Sequence, residues 1–176
     1  MDKGYVQLYT GDGKGKTTAS LGLGLRAVGR GYRVVMFQFL KGCDSGELES
    51  VNAFQNQFEI IRLAESEKFF FSMRPEEKDD FKKRLQEELK QVYQIMEEEA
   101  CDLLILDEIM GAYHAGLLTV AELIALVKAK PSSMELILTG RSAPQEILDI
   151  ADLVTEMRCV KHYLDKGVKA RTGIEK

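Results

Sequence analysis

The feature that most constrains the fold of this chain is a glycine-rich segment between an apolar run and a helical pattern. Residues 10–18 read TGDGKGKTT; the apolar run Tyr5–Tyr9 precedes them, and a helical pattern continues from about Thr17 to Val28. The letters GKT match the second half of the pattern G-x-x-x-x-G-K-[ST], which lies between a strand and a helix and binds nucleotide phosphates. Thr10 stands where that pattern has its first glycine, and Gly11 follows it. The segment therefore predicts a P-loop that binds a nucleotide triphosphate.

The residue types of this loop suit the binding of anions. Glycines allow successive backbone N–H groups to turn inward as a nest for phosphate oxygens, and the start of the next helix adds further free N–H groups. Lys16 is predicted to bring a positive charge to the phosphates, and the Thr17 hydroxyl to ligate Mg²⁺. The alternative, an ordinary glycine-rich turn with exposed lysines, does not explain the strand, motif and helix together. The predicted nucleotide-binding residues of the loop are Gly11, Asp12, Gly13, Lys14, Gly15, Lys16, Thr17 and Thr18.

A second apolar run ends in two carboxylates. Residues 103–108 read LLILDE. In P-loop proteins an acid at such a strand end holds Mg²⁺, usually through water, so Asp107 and Glu108 join the loop threonine in the predicted metal site. Many strands end in acidic residues, and the assignment therefore depends on this run being a later strand of the same sheet. Arg141, just after the run 136–139, either adds a cation to the same rim or is a surface arginine; both interpretations stand.

Short apolar runs alternate with longer helical patterns along the whole chain. Continuous apolar strands separated by helices predict a parallel sheet that is covered on both faces. We therefore expect a three-layer α/β P-loop NTPase fold of the RecA-like type, with a mostly parallel sheet of about six strands. Because 176 residues is the size of one domain, residues 1–176 are expected to form a single domain. The predicted strands are Tyr5–Tyr9, Arg33–Phe39, Phe58–Leu63, Leu103–Leu106, Leu136–Thr139 and Leu153–Glu156.

Local signals also predict helix boundaries. Gly29-Arg30-Gly31 should end the first helix, because glycine favours a left-handed cap. A long helix is predicted over Pro75–Ala100, since proline suits the first turn. Thr119 and Glu122 match a capping box that opens a helix ending near Lys130. The residues of the long helix that recur at helical spacing and should face the core are Phe81, Leu85, Leu89, Val92 and Met96.

Composition narrows the class of protein. A formal net charge of -4 argues against a nucleic acid as partner, because binding its backbone usually needs a basic face. No apolar stretch approaches the roughly 20 residues that span a bilayer, so no membrane association is expected. The three cysteines, Cys43, Cys101 and Cys159, are far apart and form no C-x-x-C pair, which is typical of reduced thiols. We expect a cytoplasmic enzyme.

Several sequence blocks resemble one family, the P-loop ATP:cob(I)alamin (corrinoid) adenosyltransferases. The glycine-rich loop is similar to the family's loop, which usually has Asn where Asp12 stands. Further similar blocks follow in the family's order and span nearly the whole chain. They are QFLKG at 38–42, LDE at 106–108, LTGRSAP at 138–144, ADLVTEMR at 151–158, VKH at 160–162 and GVKARTGI at 167–174.

The resemblance implies transfer of the 5′-deoxyadenosyl group of ATP to a reduced corrinoid, either cob(I)alamin or cob(I)yrinic acid a,c-diamide, with release of triphosphate. The nucleophile is then Co(I), so no Ser, Cys or His nucleophile is required. His114 and His162 accordingly lie in no recognisable catalytic pattern and are expected to be structural. Lys16 and Glu108 are the predicted catalytic residues at the triphosphate. The resemblance also implies that ATP lies in the reverse sense along the P-loop, with its adenosyl end toward the corrinoid.

Members of the family place two aromatic side chains, two residues apart, on the lower face of the corrinoid to leave four-coordinate Co(II). Phe69, Phe70 and Phe71 occupy the matching region, where the family typically carries Phe-x-Trp, so the resemblance implies these roles for Phe69 and Phe71. Core packing is the alternative, but three consecutive side chains cannot all face one side of an extended segment. Arg26 stands at the family's arginine position in the first helix, where it either contacts the nucleotide or lies on the helix surface.

The resemblance further implies a homodimer and an electron donor such as a reduced flavoprotein. The first predicted strand begins at Tyr5, without the N-terminal helical extension that many family members carry, which leaves open how the site closes. Two other functions compete with adenosyl transfer. A P-loop kinase or ATPase would use Glu108 to position a hydroxyl or water. A nucleotide switch or corrinoid carrier agrees less well with the sequence, because the D-x-H-x-x-G motif of carriers does not occur in it.

Overall fold

A computed structural model describes residues 1–42, 44–66, 68 and 70–175 of the chain. Six strands form one sheet in the order β3-β2-β4-β5-β1-β6, and every neighbouring pair is parallel. The α/β fold with six strands is therefore as predicted, and each predicted strand is present within one residue at either end. The strands are β1 (Val6–Thr10), β2 (Val34–Gln38), β3 (Phe58–Arg62), β4 (Leu103–Asp107), β5 (Glu135–Thr139) and β6 (Leu153–Glu156).

Helices connect the strands and cover both faces of the sheet. They are α1 (Lys16–Val28), α2 (Gly46–Val51), α3 (Pro75–Glu97), α4 (Ile109–His114), α5 (Val120–Ala129) and α6 (Gln145–Ile150). Three short 3-10 turns lie at Asn52–Phe54, Phe70–Ser72 and Tyr163–Lys166. Among the described residues, no helix combines the length and apolar character that crossing a bilayer requires.

The two faces of the sheet bury different side chains, because successive residues of a strand point in opposite directions. In β2, Val35 and Phe37 belong to the larger core cluster, which includes buried residues of α3 and α5. Val34 and Met36 belong to the smaller cluster, against which residues of α1 pack. The sheet is thus the middle of three layers, as the run of apolar strands predicted.

The helix signals were mostly correct, but α3 ends at Glu97, three residues before the predicted end at Ala100, and Glu99 beyond it has a left-handed φ of 46°. All five predicted core residues of α3 are buried, and Thr119 accepts a hydrogen bond from the Glu122 N–H as a capping box requires. After α1, however, Gly29 keeps right-handed helical geometry, with φ −62°. The left-handed residue is Gly31, with φ 80°, so the segment Gly29-Arg30-Gly31 ends α1 as predicted, through its second glycine.

The strand order sets the position of the functional residues. β5 lies between β1 and β4, so the glycine-rich loop after β1 and the acidic end of β4 are separated by one strand. The carboxyl ends of all these strands meet at one edge of the sheet, where α/β proteins of this kind bind ligands. The polar residue at the end of β5, Thr139, therefore lies between the loop and the acids.

Candidate active site

The glycine-rich loop closes on its own lysine. Gly15, at φ 116°, forms the left-handed residue just before α1, which begins at Lys16. The Lys16 ammonium donates to the carbonyl oxygens of Gly11 at 2.6 Å and Gly13 at 2.8 Å. Burial, followed by the nearby Arg141 guanidinium, lowers the pKa of Lys16. The lysine is thus held inside the loop that the sequence predicted to bind phosphates.

Two of the loop glycines are needed for a reason that the sequence did not indicate. The Gly13 N–H donates to the Met157 carbonyl oxygen at 2.6 Å, and the Met157 N–H donates to Thr10 O at 2.8 Å. A Cβ atom at Gly11 would lie 2.4 Å from the Met157 oxygen, and one at Gly13 would lie 2.7 Å from it. The chain just after β6 therefore packs on the loop, and the Gly13 amide serves that contact. Phosphate binding by the loop amides stays a prediction.

The predicted metal residues Thr17 and Asp107 are brought together. Asp107 is fully buried, and its Oδ1 accepts the hydroxyl protons of Thr17 and Thr139, each at 2.8 Å. Its Oδ2 is also buried and has no hydrogen-bond partner among the described residues. The Lys41 ammonium lies 3.2 Å from that oxygen, a distance that makes an ion pair although the hydrogen-bond geometry is poor.

These residues fit a magnesium ion that is shared with phosphates. The Thr17 hydroxyl gives its proton to Asp107, so its lone pairs are free to bind a cation. Asp107 Oδ2 is a buried carboxylate oxygen that accepts no hydrogen bond from a described residue, which suits a metal-bound water. Within the described part of the chain, no three His, Cys, Asp or Glu side chains cluster to chelate a metal by themselves. Mg²⁺ typically takes one or two protein ligands beside substrate phosphates, which is the donor set available here.

Glu108 lies at the same rim in a constrained conformation. Its φ of 61° is left-handed, and its N–H donates to the Thr139 hydroxyl at 2.9 Å. Burial and then the neighbouring Asp107 raise the pKa of Glu108, while Lys16 and Arg141 oppose this effect. These electrostatic interactions indicate that Arg141 lies on the rim near both charged groups. Contact between Arg141 and a nucleotide stays a prediction.

A polar network supports the end of β2 beside these acids. Gln38 is fully buried and donates from Nε2 to Glu47 at 3.1 Å, and Lys41 donates to the same Glu47 oxygen at 3.1 Å. Arg62 approaches Gln38 Oε1 at 3.4 Å. Burial favours the neutral form of Glu47, but the hydrogen bond from Gln38 and the charge of Lys41 outweigh it and lower its pKa to about 2. Glu47 is therefore a fixed anion that anchors Lys41.

Comparison with known proteins identifies the family. A family model described as ATP:corrinoid adenosyltransferase BtuR/CobO/CobP matches residues 2–175. The chain belongs to this family. It is an ATP:corrinoid adenosyltransferase, an enzyme that transfers the adenosyl group of ATP to a corrinoid, as its sequence blocks predicted.

Individual relatives agree with the family model. The corrinoid adenosyltransferase of Escherichia coli (strain K12) is 31% identical over 175 residues, which cover 99% of this chain and 86% of the relative. The corrinoid adenosyltransferase CobA of Salmonella typhimurium (strain LT2) is 32% identical over 175 residues, with the same two shares. Among solved structures, the flagellar accessory protein FlaH from Methanocaldococcus jannaschii aligns with a TM-score of 0.56 at 14% identity, covering 89% of this chain and 72% of that chain. That likeness concerns the fold alone.

The two described phenylalanines of the aromatic segment, Phe70 and Phe71, differ in burial. Phe70 packs on Phe81 of α3, with ring centroids 5.4 Å apart. Phe71 is 80% exposed, and Phe69 lies outside the described residues. The segment is not extended as the alternation argument assumed, because Phe70–Ser72 form a 3-10 turn in which the rings of Phe70 and Phe71 meet edge to face at 6.2 Å. A role of Phe71 at the corrinoid stays a prediction.

Arg26 is separated from the phosphate loop. It lies in the last turn of α1 and is exposed, ten residues after Lys16. Ten residues correspond to about 15 Å along a helix. The structure thus does not bring Arg26 to the loop, and its contact with a nucleotide stays a prediction.

The two histidines of the enzyme make structural contacts, as expected. His114 Nε2 lies 2.8 Å from the Ser142 carbonyl oxygen, which links α4 to the segment after β5. His162 Nδ1 accepts the Leu164 N–H at 3.0 Å and caps a 3-10 turn. Neither contact involves the residues around Asp107.

Sequence reasoning missed the site roles of Thr139, Gln38 and Lys41. Thr139 and Gln38 are each the last residue of a strand whose other residues are mostly apolar, and each is itself fully buried. Buried polar side chains need partners, so a lone polar residue at the carboxyl end of a parallel strand is a usable signal. Met157 gave no such signal, because its backbone rather than its side chain makes the hydrogen bonds.

Proposed function

We propose that the rim formed by the loop, Thr139 and the end of β4 holds the triphosphate and Mg²⁺ of ATP, while the adenosyl C5′ faces the corrinoid. The observation that carries this proposal is the buried Asp107, which orients the Thr17 hydroxyl next to the loop that contains Lys16. The corrinoid substrate is cob(I)alamin or cob(I)yrinic acid a,c-diamide.

In the proposed reaction, the lone pair of Co(I) attacks C5′ and forms the cobalt–carbon bond as the C5′–O5′ bond breaks. The bonding electrons leave on the triphosphate oxygen, and cobalt is formally oxidised from Co(I) to Co(III). The protein must therefore hold C5′ in line and stabilise charge on the departing triphosphate. Lys16, the loop amides and Arg141 supply positive charge there, and bound Mg²⁺ would neutralise further phosphate charge. Glu108, also catalytic in this proposal, helps keep the metal-binding oxygens in place.

The test is anaerobic incubation with ATP, Mg²⁺ and chemically reduced cobalamin. We expect the absorption spectrum of the cobalt–carbon product together with inorganic triphosphate. Lys16→Ala should reduce the rate by at least about a hundredfold, because a preorganised positive charge at the leaving group is lost. Lys83→Ala, which removes an exposed lysine of α3, is the matched control. Formation of ADP and phosphate without the alkyl product would contradict the proposal.

The exposed Phe71 is the second part of the proposal. Together with Phe69 it would pack against the lower face of the corrinoid and keep the lower axial ligand away from Co(II). Support comes from the family's Phe-x-Trp pattern and from the 80% exposure of Phe71, which core packing does not explain. Phe71→Ala should weaken the electron paramagnetic resonance signal of four-coordinate Co(II), while Phe71→Trp should retain it. An unchanged signal in the alanine variant would refute this role.

The remaining parts concern the whole enzyme. We propose that it works as a homodimer in the cytoplasm, accepts electrons from a donor such as a reduced flavoprotein, and folds as one domain over residues 1–176. Cys101 and Cys159 are free thiols, which suits a reducing compartment. Exposed apolar side chains on β6 and the segment after it, among them Leu153 and Val160, give a dimer a surface to cover. Sedimentation at several concentrations tests the dimer.

A further inference from the structure

We propose that Lys41 is a positioning residue that fixes the Asp107 carboxylate for the nucleotide-bound metal ion. The inference rests on the proposed role of Mg²⁺. Asp107 is completely buried, and its two oxygens have different surroundings. Oδ1 accepts two hydroxyl protons, whereas Oδ2 faces the Lys41 ammonium at 3.2 Å. The lysine therefore provides positive charge at the oxygen that receives no hydrogen bond within the described part of the chain.

The backbone and the neighbouring helix both hold Lys41 in this place. Leu40 adopts a left-handed conformation with φ 58°, which is unusual for a residue with a Cβ atom. This turn directly follows β2 and brings Lys41 back over the sheet edge. Glu47 at the start of α2 accepts from the lysine at 3.1 Å and is itself held by Gln38. The ammonium is thus anchored from one side and presented to Asp107 on the other.

Loss of this charge should disturb the metal site rather than the phosphate loop. A buried carboxylate that loses its cation can rotate to share the hydroxyl protons between both oxygens. That rotation alters the orientation of the Thr17 hydroxyl, which the metal needs. Lys16, in contrast, is fixed by carbonyl oxygens of the loop and does not depend on Lys41.

The test measures ATP binding by calorimetry, first in EDTA and then across a series of Mg²⁺ concentrations. For Lys41→Met, the Mg²⁺ concentration that gives half of the full change in ATP affinity should rise about tenfold. This is the size typical for loss of a partner that orients a metal ligand. ATP affinity in EDTA should be unchanged. Lys41→Arg keeps the cation and should recover most of the wild-type Mg²⁺ dependence. Glu47→Gln removes the anchor and should shift the dependence in the same direction by less.

Other outcomes would overturn the inference. A wild-type Mg²⁺ dependence in Lys41→Met would mean that the lysine does not act on the metal site. A lower Mg²⁺ requirement would mean that it competes with the metal, and an equal loss of affinity in EDTA would mean that it binds phosphate directly. If the wild-type enzyme binds ATP equally well with and without Mg²⁺, the proposed metal role fails together with this inference.

Discussion

At the scale of single residues, one hydroxyl connects the two acids at the end of β4. Thr139 donates to Asp107 Oδ1 and accepts the Glu108 N–H, so it orients the carboxylate and the strained backbone that follows it. Both bonds are made at least partly out of water, where an unpaired group is costly. The side chain that determines the geometry of the acids therefore lies on a different strand from them.

Thr139→Val should show how much this hydroxyl contributes. The substitution keeps the shape but leaves the Glu108 N–H unpaired, so the free energy of unfolding should fall by about 2 kcal/mol. The adenosylation rate should fall by about tenfold, as for other residues that orient metal ligands. Thr139→Ser keeps the hydroxyl and is the matched control. Urea unfolding and the spectroscopic rate assay measure the two effects, and equal behaviour of the valine and serine variants would contradict this account.

Glu47 gives a prediction about pH. Its pKa of about 2 in the folded protein lies below its ordinary value of 4.5. The ionised side chain therefore contributes stability that is fully present above pH 4.5 and is lost as the pH falls toward 2. Because the side chain is partly exposed and solvent screens its charge, this contribution is about 1–2 kcal/mol. In urea unfolding, the difference in stability between the wild type and Glu47→Gln should shrink steadily below pH 4.5. A constant difference across this range would show that the charge of Glu47 is not responsible.

At the scale of elements, backbone hydrogen bonds of Met157 with Gly13 and Thr10 hold the loop after β1 against the chain after β6. This contact predicts that Gly13→Ala destabilises the folded protein, although the substitution adds only one methyl group to the loop. The new Cβ would lie 2.7 Å from the Met157 backbone, so either the loop or the tail, the chain from Met157 onward, must move. Overpacking of this kind costs about 1–3 kcal/mol, and ATP affinity should fall with it.

Gly22→Ala is the matched control for that variant. Gly22 lies in α1, and nothing lies within 4 Å of a Cβ added there. Alanine in a helix interior is favoured over glycine, so this variant should gain about 1 kcal/mol and bind ATP normally. Thermal unfolding and calorimetry with ATP compare the pair. Wild-type stability and affinity in Gly13→Ala would mean that the loop does not depend on the contact with Met157.

The elements could be predicted from the sequence more fully than their contacts. Strands and helices have local signals: apolar runs predicted all six strands, and spacing predicted the buried face of α3. The sequence also allowed us to place the loop near the acids at the end of β4, because parallel strands align their carboxyl ends. The hydrogen bond between Gly13 and Met157, in contrast, joins backbone atoms far apart in sequence, and no residue type predicts it. The position of Lys41 beside Asp107 likewise depends on the left-handed turn at Leu40, a conformation that side chains rarely signal.

At the scale of the whole molecule, the tail and the phosphate loop should belong to one cooperative unit. β6 is an exposed edge strand, yet Met157 and Gly13 join its end to the loop that opens α1. If residues 1–176 form one domain, unfolding followed by circular dichroism and by the fluorescence of the six tyrosines should give coincident transitions.

The same connection predicts how the ligand stabilises the tail. ATP with Mg²⁺ at about 100 times its dissociation constant should raise the free energy of unfolding by about 2.7 kcal/mol, provided that it binds only the folded state. Because the loop holds the end of β6, hydrogen exchange at the Met157 amide should slow with ATP, in step with the amide of Gly13. The amide of Leu104, in the centre of the sheet, reports global unfolding for comparison. If the Met157 amide exchanged as in an unfolded chain while that of Leu104 stayed protected, the tail would be an independent segment, and its packing on the loop could not support nucleotide binding.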